Sequence, residues 1–470
     1  QFVTHVQIRD IQPPKNGLRT LQKVPDVPQV HSRAEAGPQA LGRQPELPEW
    51  IYNGLIIGAQ GGNERSFGIV DKSLEHGIKV SGLWCQDWCG KRVTSFGKRL
   101  QWDWHFHKEM YPDLPKHIEE LHARGIKFLG YVNPYLVNDG ELYAEGKKRG
   151  VFAKKADGSD YLVDFGEFYC GVVDFTNPEA YNWFKDEVIK KYTLDIGIDG
   201  WMADFGEYLP TDDLVLANGV SPMIEHNHWP VLWAKCNYDA VKESGKLGQV
   251  VYFMRAGGTG SQKYCTLLWA GDQSVDFSRH DGLCTVICAA LSSGMVGCGL
   301  NHCDIGGYTS LFDNCRTKEV FLRWAEMAAF MPVMRTHEGN RPDTNFQYYD
   351  DDDCMKQLAR LVDIYTMLAP YTKTLVAENA AKGTPVMRPL FLQYEDDPRS
   401  YTEQFEYLSG PAGGSGVAER QDGVGGLPAQ RRVDPSVDGR TLRQGDPHRS
   451  GGTGRYPGVL PQGFPVGGAV

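Results

Sequence analysis

Between Trp50 and Leu368 the chain alternates short, almost wholly apolar runs with longer stretches of mixed polarity. The apolar runs fall at residues 54–59, 78–85, 126–132, 198–204, 250–254, 267–270, 295–300 and 332–334. They are apolar on both faces, as expected of parallel strands covered on each side. The intervening stretches read as helices. Residues 71–76 lie in a short helix closed by Gly77, and residues 115–124 form one stopped by Gly125. Asn177-Pro178 supplies an N-cap followed by proline at the first helical position. Behind it Tyr181, Phe184, Val188 and Tyr192 recur at helical spacing, with Lys190 and Lys191 at the negative end of the helix dipole. Residues 229–243, 281–292, 318–330 and 355–368 supply the remaining helices.

Strand candidates that alternate with helices long enough for right-handed crossovers predict an α/β protein, a (β/α)8 TIM barrel spanning residues 47–375. A doubly wound open sheet is the competing arrangement. It is disfavoured because no glycine-rich phosphate loop opens a helix after the first strand. Residues 1–46 are rich in Gln, Pro, Arg and Val and show no sustained period, so they read as an irregular N-terminal leader. Residues 376–408 read as the start of a C-terminal β domain. From 409 to 470 the composition switches abruptly to Gly, Pro and Arg with no surviving period. That tail reads either as a disordered segment or as translation outside the native frame.

Composition narrows the function. Hydrophobic residues make up 41% and charged residues 23%, which suits a sizeable core. The formal net charge of −10 argues against nucleic acid or an anionic membrane as partner. No apolar run is long enough to span a bilayer, and residues 1–10 carry no signal-peptide pattern. The 11 cysteines, an odd number scattered through apolar segments, suit buried thiols of a cytoplasmic protein better than a disulfide framework. Cys298, His302 and Cys303 match no zinc spacing.

Chemistry gathers at the carboxyl ends of the strands, the side where parallel barrels keep their sites. Gln60, Gln86, Asp87, Asn133, Asp204, Arg255, Asp272, His302, Asp304, Arg335 and His337 fall there. No serine sits in a nucleophile elbow and no His-Glu-x-x-His occurs. Carboxylates, amides and arginines dominate, with Trp84, Trp88, Trp102, Trp201, Trp269 and Tyr308 between them. Paired acids flanked by aromatic platforms suit sugar chemistry. Asp204 after the fourth strand and Asp272 after the sixth are two strands apart, so their tips can face one substrate. Each acid taken alone reads equally well as a loop salt bridge.

The blocks Gln86-Asp87-Trp88, Gly200-Trp201-Met202-Ala203-Asp204-Phe205-Gly206-Glu207, Trp269-Ala270-Gly271-Asp272, His302-Cys303-Asp304-Ile305-Gly306-Gly307 and Met334-Arg335-Thr336-His337 resemble glycoside hydrolase family 31. The resemblance runs from about Leu41 to Leu408. Gln60, Gln86, Arg99, Trp102 and Tyr308 are similar to the set that marks that family's bacterial sulfoquinovosidases. The resemblance implies a retaining glycosidase that needs no cofactor and no metal, with Asp204 as nucleophile and Asp272 as general acid/base. Asp304, Arg335 and His337 then match positions that bind sugar hydroxyls. Arg99 and Trp102 match those that hold the sulfonate, with Tyr308 acting through a water. Gln60 and Gln86 match readers of the hydroxyls next to the sulfonate-bearing carbon. The implied partner is a small sulfonated sugar glycoside, sulfoquinovosyl glycerol or the corresponding diacylglycerol lipid, with the oligomeric state left open. An α-glucosidase or α-xylosidase on the same scaffold, or a non-catalytic sugar-binding fragment, are the alternatives. Family members carry a β-sandwich before the barrel and a full β domain after it. Here both are reduced, so apolar surface at the barrel ends is expected to be exposed.

Overall fold

A computed structural model describes residues 41–94, 97–410 and 414–416. Residues 1–40 of the leader, Ser95 and Phe96, and residues 411–413 and 417–470 of the tail lie outside the described residues. Seven parallel strands follow one another around a single sheet: β1 (Leu55–Gly58), β2 (Val80–Trp84), β3 (Lys127–Val132), β4 (Gly200–Ala203), β5 (Val251–Met254), β6 (Leu267–Trp269) and β7 (Asn301–His302). Each pairs with its sequence neighbour. Leu129 to Val132 of β3 run beside Gly200 to Ala203 of β4, which run beside Val251 to Met254 of β5.

Residues 334–336 close the ring through isolated bridges from Ile56 to Arg335 and from Ile305 to Thr336. Ile56 N donates to Met334 O at 2.9 Å and Thr336 N donates to Ile56 O at 3.0 Å. A Cβ on Gly58 would lie 2.2 Å from Thr336 O, so this seam needs a glycine. The Tyr365 hydroxyl lies 3.0 Å from both Ile51 O and Pro332 O, one on each side of the closure.

Period-two alternation sorts the strand side chains. Trp201 points outward, where its indole donates to Asn237 of the helix Trp229–Glu243 and stacks on Tyr252. Met202 points inward. Inside the barrel Phe253 meets Trp84, Trp269 and His302 edge-on, and Arg335 lies over Trp84 and Phe253. The outer ring includes the helices Asn63–Glu75, Leu114–Ala123, Leu283–Gly294, Lys318–Ala328 and Asp352–Lys382. No described helix is long and apolar enough to cross a membrane. The 11 cysteines are free thiols, and all but Cys288 and Cys315 are buried.

Several elements differ from the sequence reading. The seventh strand is Asn301–His302 rather than 295–300, because the chain turns there: Gly297 N and Cys298 N return to Gly294 O and Ser293 O. The eighth is reduced to bridges. Asn177 caps its helix as expected, accepting from Glu179 N at 3.0 Å. That helix then widens to a π-helix over Phe184–Leu194. The last barrel helix runs through Pro370 to Lys382, ending at Gly383 in the left-handed conformation. Beyond it, Met387–Arg388, Glu406–Ser409 and Gly414–Gly416 pair as a small antiparallel sheet.

Two excursions raise one wall above the carboxyl ends. After β2 a hairpin pairs Lys91–Thr94 with Gly97–Leu100, placing Arg92 opposite Arg99. After β3, Tyr135–Val137, Leu162–Asp164 and Tyr169–Val172 form a three-stranded antiparallel sheet.

Candidate active site

A cavity of about 2200 Å³ opens at the carboxyl ends of the strands. Gln60, Gln86, Arg99, Trp102, Asp204, Asp272, Tyr308 and His337 all line it. Asp304 and Arg335 do not: they are almost wholly buried beneath its floor.

Asp204 ends β4, and the backbone turns sharply after it, with Phe205 at φ 58° in the left-handed region. The turn lets Phe205 N donate to Asp204 Oδ1 at 2.8 Å and lays the Phe205 ring 4.2 Å from the Arg255 guanidinium. On the other oxygen, Asp204 Oδ2 accepts from the Tyr131 hydroxyl, which in turn accepts from Asn133 at 3.2 Å. Asp272 follows β6. Its side chain is 48% exposed and lines the cavity.

One guanidinium joins the two acids. Arg255, one residue past β5, lies 3.3 Å from Asp204 Oδ1 and 3.2 Å from Asp272 Oδ2, and bonds Glu207 at 2.6 and 2.9 Å. Burial pushes the Asp204 carboxyl up to about 6 against the pull of Arg255, with Asp272 adding to the rise and Tyr131 opposing it. Burial also raises Asp272, again opposed by Arg255.

A second cluster adjoins the first across the Phe205 ring. The Trp102 carbonyl accepts from Val137 N at 2.9 Å, and Asp103 next to it caps the helix Glu141–Arg149. The Trp102 ring packs edge-on to Phe165, Phe168 and Phe205. Arg92 and Arg99 both lie over the Phe168 ring, at 5.2 and 5.5 Å. Arg92 is neutralised by Asp139 at 2.7 Å, whereas Arg99 has no ion-pair partner among the described residues. Tyr308 stands between the clusters. Burial raises its phenol, Asp272 and Asp204 raise it further, and Arg99 lowers it.

Beneath the floor, Arg335 donates to Asp304 Oδ1 and, at 2.9 Å, to His302 Nε2. The other His302 nitrogen faces Leu268 O at 2.9 Å, so both ring nitrogens are occupied. Asp304 Oδ2, Arg335 Nη1, Trp269 Nε1, Gln273 Oε1 and Glu207 Oε2 are buried without a hydrogen-bond partner. Such atoms are uncommon in folded proteins, and Asp304 Oδ2 and Arg335 Nη1 share one ion pair, so a polar ligand reaching that pair would find an acceptor and a donor free among the described residues.

Strand-end position located the acids, the amides and Arg255, yet it gave Arg255 no role. Asp87, also at a strand end, turns away: it binds Gly61 N, Tyr111 and Lys91 and fastens loops. Tyr131 escaped because it lies inside β3. Inward alternation two residues before Asn133 was the available signal.

The residues 47–375 match the TIM-barrel domain of glycosyl hydrolases family 31. The chain is 57% identical over 370 residues to the sulfoquinovosidase of Escherichia coli (strain K12), covering 79% of this chain and 54% of that protein. It is 58% identical over 369 residues to the sulfoquinovosidase of Agrobacterium fabrum, covering 78% and 55%. The solved structure of a GH31 family sulfoquinovosidase from E. rectale, in complex with the aza-sugar inhibitor IFGSQ, is 75% identical. It superposes with a TM-score of 0.83 over 84% of this chain and 59% of the other. The chain thus spans about half the length of the curated relatives it matches. By its barrel and the family model that covers most of it, the chain belongs to glycosyl hydrolase family 31.

Proposed function

We propose that this barrel hydrolyses α-sulfoquinovosides with retention of configuration, taking sulfoquinovosyl glycerol or the corresponding diacylglycerol lipid as substrate. The observation that carries the reading is the pairing of two clusters in one cavity. Asp204 and Asp272 share the Arg255 guanidinium, and Arg99, which has no ion-pair partner among the described residues, lines the same cavity with Trp102.

Asp204 acts as the nucleophile. Arg255, Tyr131 and the Phe205 amide all favour its ionised form. Asp272, lining the cavity past the end of β6, gives its proton to the leaving oxygen as Asp204 attacks the anomeric carbon. The resulting glycosyl ester is opened by a water that Asp272 deprotonates. Asp304 Oδ2 and Arg335 Nη1, buried and unpartnered, accept and donate to sugar hydroxyls reaching the floor. Arg99 binds two sulfonate oxygens with its fork and Trp102 offers an indole N–H. Tyr308 acts through a water, and Gln60 and Gln86 read the hydroxyls beside the sulfonate-bearing carbon.

Hydrolysis of an aryl α-sulfoquinovoside tests the proposal, with proton NMR following the anomer first released. Release of α-sulfoquinovose, with the aryl α-glucoside cleaved far more slowly, is expected. Cleavage of the glucoside alone would leave a neutral-sugar glycosidase, and first release of the β-anomer would overturn retention.

A further inference from the structure

Outside the residues assigned above, one buried cation is positioned against the site without touching its cavity. Arg316 is 2% exposed, and its five donor contacts all go to neutral oxygens. Nη1 donates to His337 O at 2.6 Å and Gly307 O at 3.4 Å. Nη2 donates to Glu338 O at 3.3 Å and Gln347 Oε1 at 2.8 Å, and Nε donates to Phe346 O at 2.9 Å. A charge withdrawn from water without a carboxylate in its grasp is costly. Burial accordingly pulls this guanidinium down to about 10. What Arg316 holds explains its presence. His337 and Gly307 belong to the loops after the closing segment and after β7, and these loops carry the His337 and Tyr308 rings, 4.9 Å apart. The fit is close, since a Cβ on Gly306 would lie 2.5 Å from Arg316 Cδ.

The peptide between Glu338 and Gly339 is bound at both ends. Its carbonyl accepts from Arg316 and from Gln347 Nε2 at 2.9 Å, and its N–H donates to His337 Nδ1 at 2.9 Å. A backbone N–H can only donate, so Nδ1 must accept and the proton of a neutral imidazole sits on Nε2. No protein group among the described residues engages Nε2, and His337 lines the cavity. Burial, Arg335 and Arg316 together hold the ring far from protonation.

Resting on the function proposed above, we infer that Arg316 is a positioning residue: by fixing the Glu338–Gly339 peptide it holds His337 as a neutral Nε2–H donor facing the sugar. The inference adds to the substrate contacts a buried group that sets one of them in the correct tautomer without meeting the ligand.

The test is nitrogen-15 NMR of histidine-labelled full chain near pH 7, with His337 assigned by its absence in His337→Gln. The parent should show His337 as the neutral Nε2–H tautomer. In Arg316→Lys, which keeps the charge but cannot reach all these carbonyls, the ring signals should move toward the average of two exchanging tautomers. On the aryl α-sulfoquinovoside the same variant should raise KM about tenfold and change kcat less than about threefold. Finding imidazolium or an Nδ1–H ring in the parent would overturn the inference, whether or not a variant folds. So would an unchanged His337 signature in Arg316→Lys and Arg316→Met. Should the parent fail to cleave the sulfoquinovoside, the proposed function falls, while the ring signals still decide whether Arg316 sets the tautomer.

Discussion

The hydroxyl of Tyr131 donates to Asp204 Oδ2, the oxygen opposite the one facing the Phe205 amide. A donor to the charged form lowers a carboxyl pKa, and burial has already pushed Asp204 up to about 6. Removing the donor therefore moves Asp204 further up. If Asp204 attacks in its ionised form, as proposed, kcat/KM should fall as pH drops through the Asp204 value, with an acid limb near 6 in the parent. Because Asp204 and Asp272 interact, that limb belongs to the pair. Tyr131→Phe should shift it upward by about half a unit to one unit and lower kcat about tenfold to a hundredfold. A pH–rate profile checks both.

Arg255 is the cation common to Asp204, Glu207 and Asp272. Arg255→Met removes the cation that opposes the rise of Asp204 and Asp272, so both should hold their protons to higher pH. Expected are a kcat loss of about a thousandfold near neutrality, an activity profile displaced to alkaline pH, and a stability loss of about 3–5 kcal/mol. Stopped assays across pH and a denaturant melt measure these outcomes.

Arg99→Ala removes a guanidinium with no ion-pair partner among the described residues, so the fold should lose little. On the sulfonated substrate kcat/KM should drop about a hundredfold or more, in line with losing a bidentate charge-assisted contact. On the aryl α-glucoside the change should stay within about threefold. Equal losses on both substrates would show that Arg99 does not read the anion.

Asp204→Asn should abolish turnover and stabilise the protein. The folded carboxyl titrates near 6, above its unfolded value. Stability is thus fully present below the unfolded pKa and is lost as pH rises through the folded one. Asparagine, always neutral, avoids that loss, for a gain of about 1–3 kcal/mol at pH above 7 and almost none near pH 4. Thermal melts at the two pH values test the sign.

How much of this was legible in the sequence depends on what each feature answers to. Parallel strands read well because both faces are buried, and a strand-end acid such as Asp204 stands out as the first polar residue after an apolar run. The seventh and eighth strands read poorly. Glycines 294, 297 and 299 break the first of them into a turn, and the second pairs through too few residues to leave a pattern. The last barrel helix, read from sequence as residues 355–368, extends at both ends to Asp352–Lys382 and passes through Pro370, as tertiary packing overrides local propensity. Within the site, Asp304 and Arg335 looked no different from Asp272 or His337, because sequence gives strand position but not depth. Tyr131 and Arg316 act by hydrogen bonds to residues 73 and 21 positions away, a relation that no local period encodes.

Closure of the ring through isolated bridges at Ile56, Ile305, Arg335 and Thr336 has a further consequence. The two lips of that seam lead directly into Gln60 on one side and His337 on the other, so parting them would separate two residues proposed to meet the sugar. Tyr365 has one hydroxyl proton to share between Ile51 and Pro332, which makes the fastening adjustable rather than fixed. On the proposed function, heat or denaturant should therefore silence the molecule before it dissolves its fold.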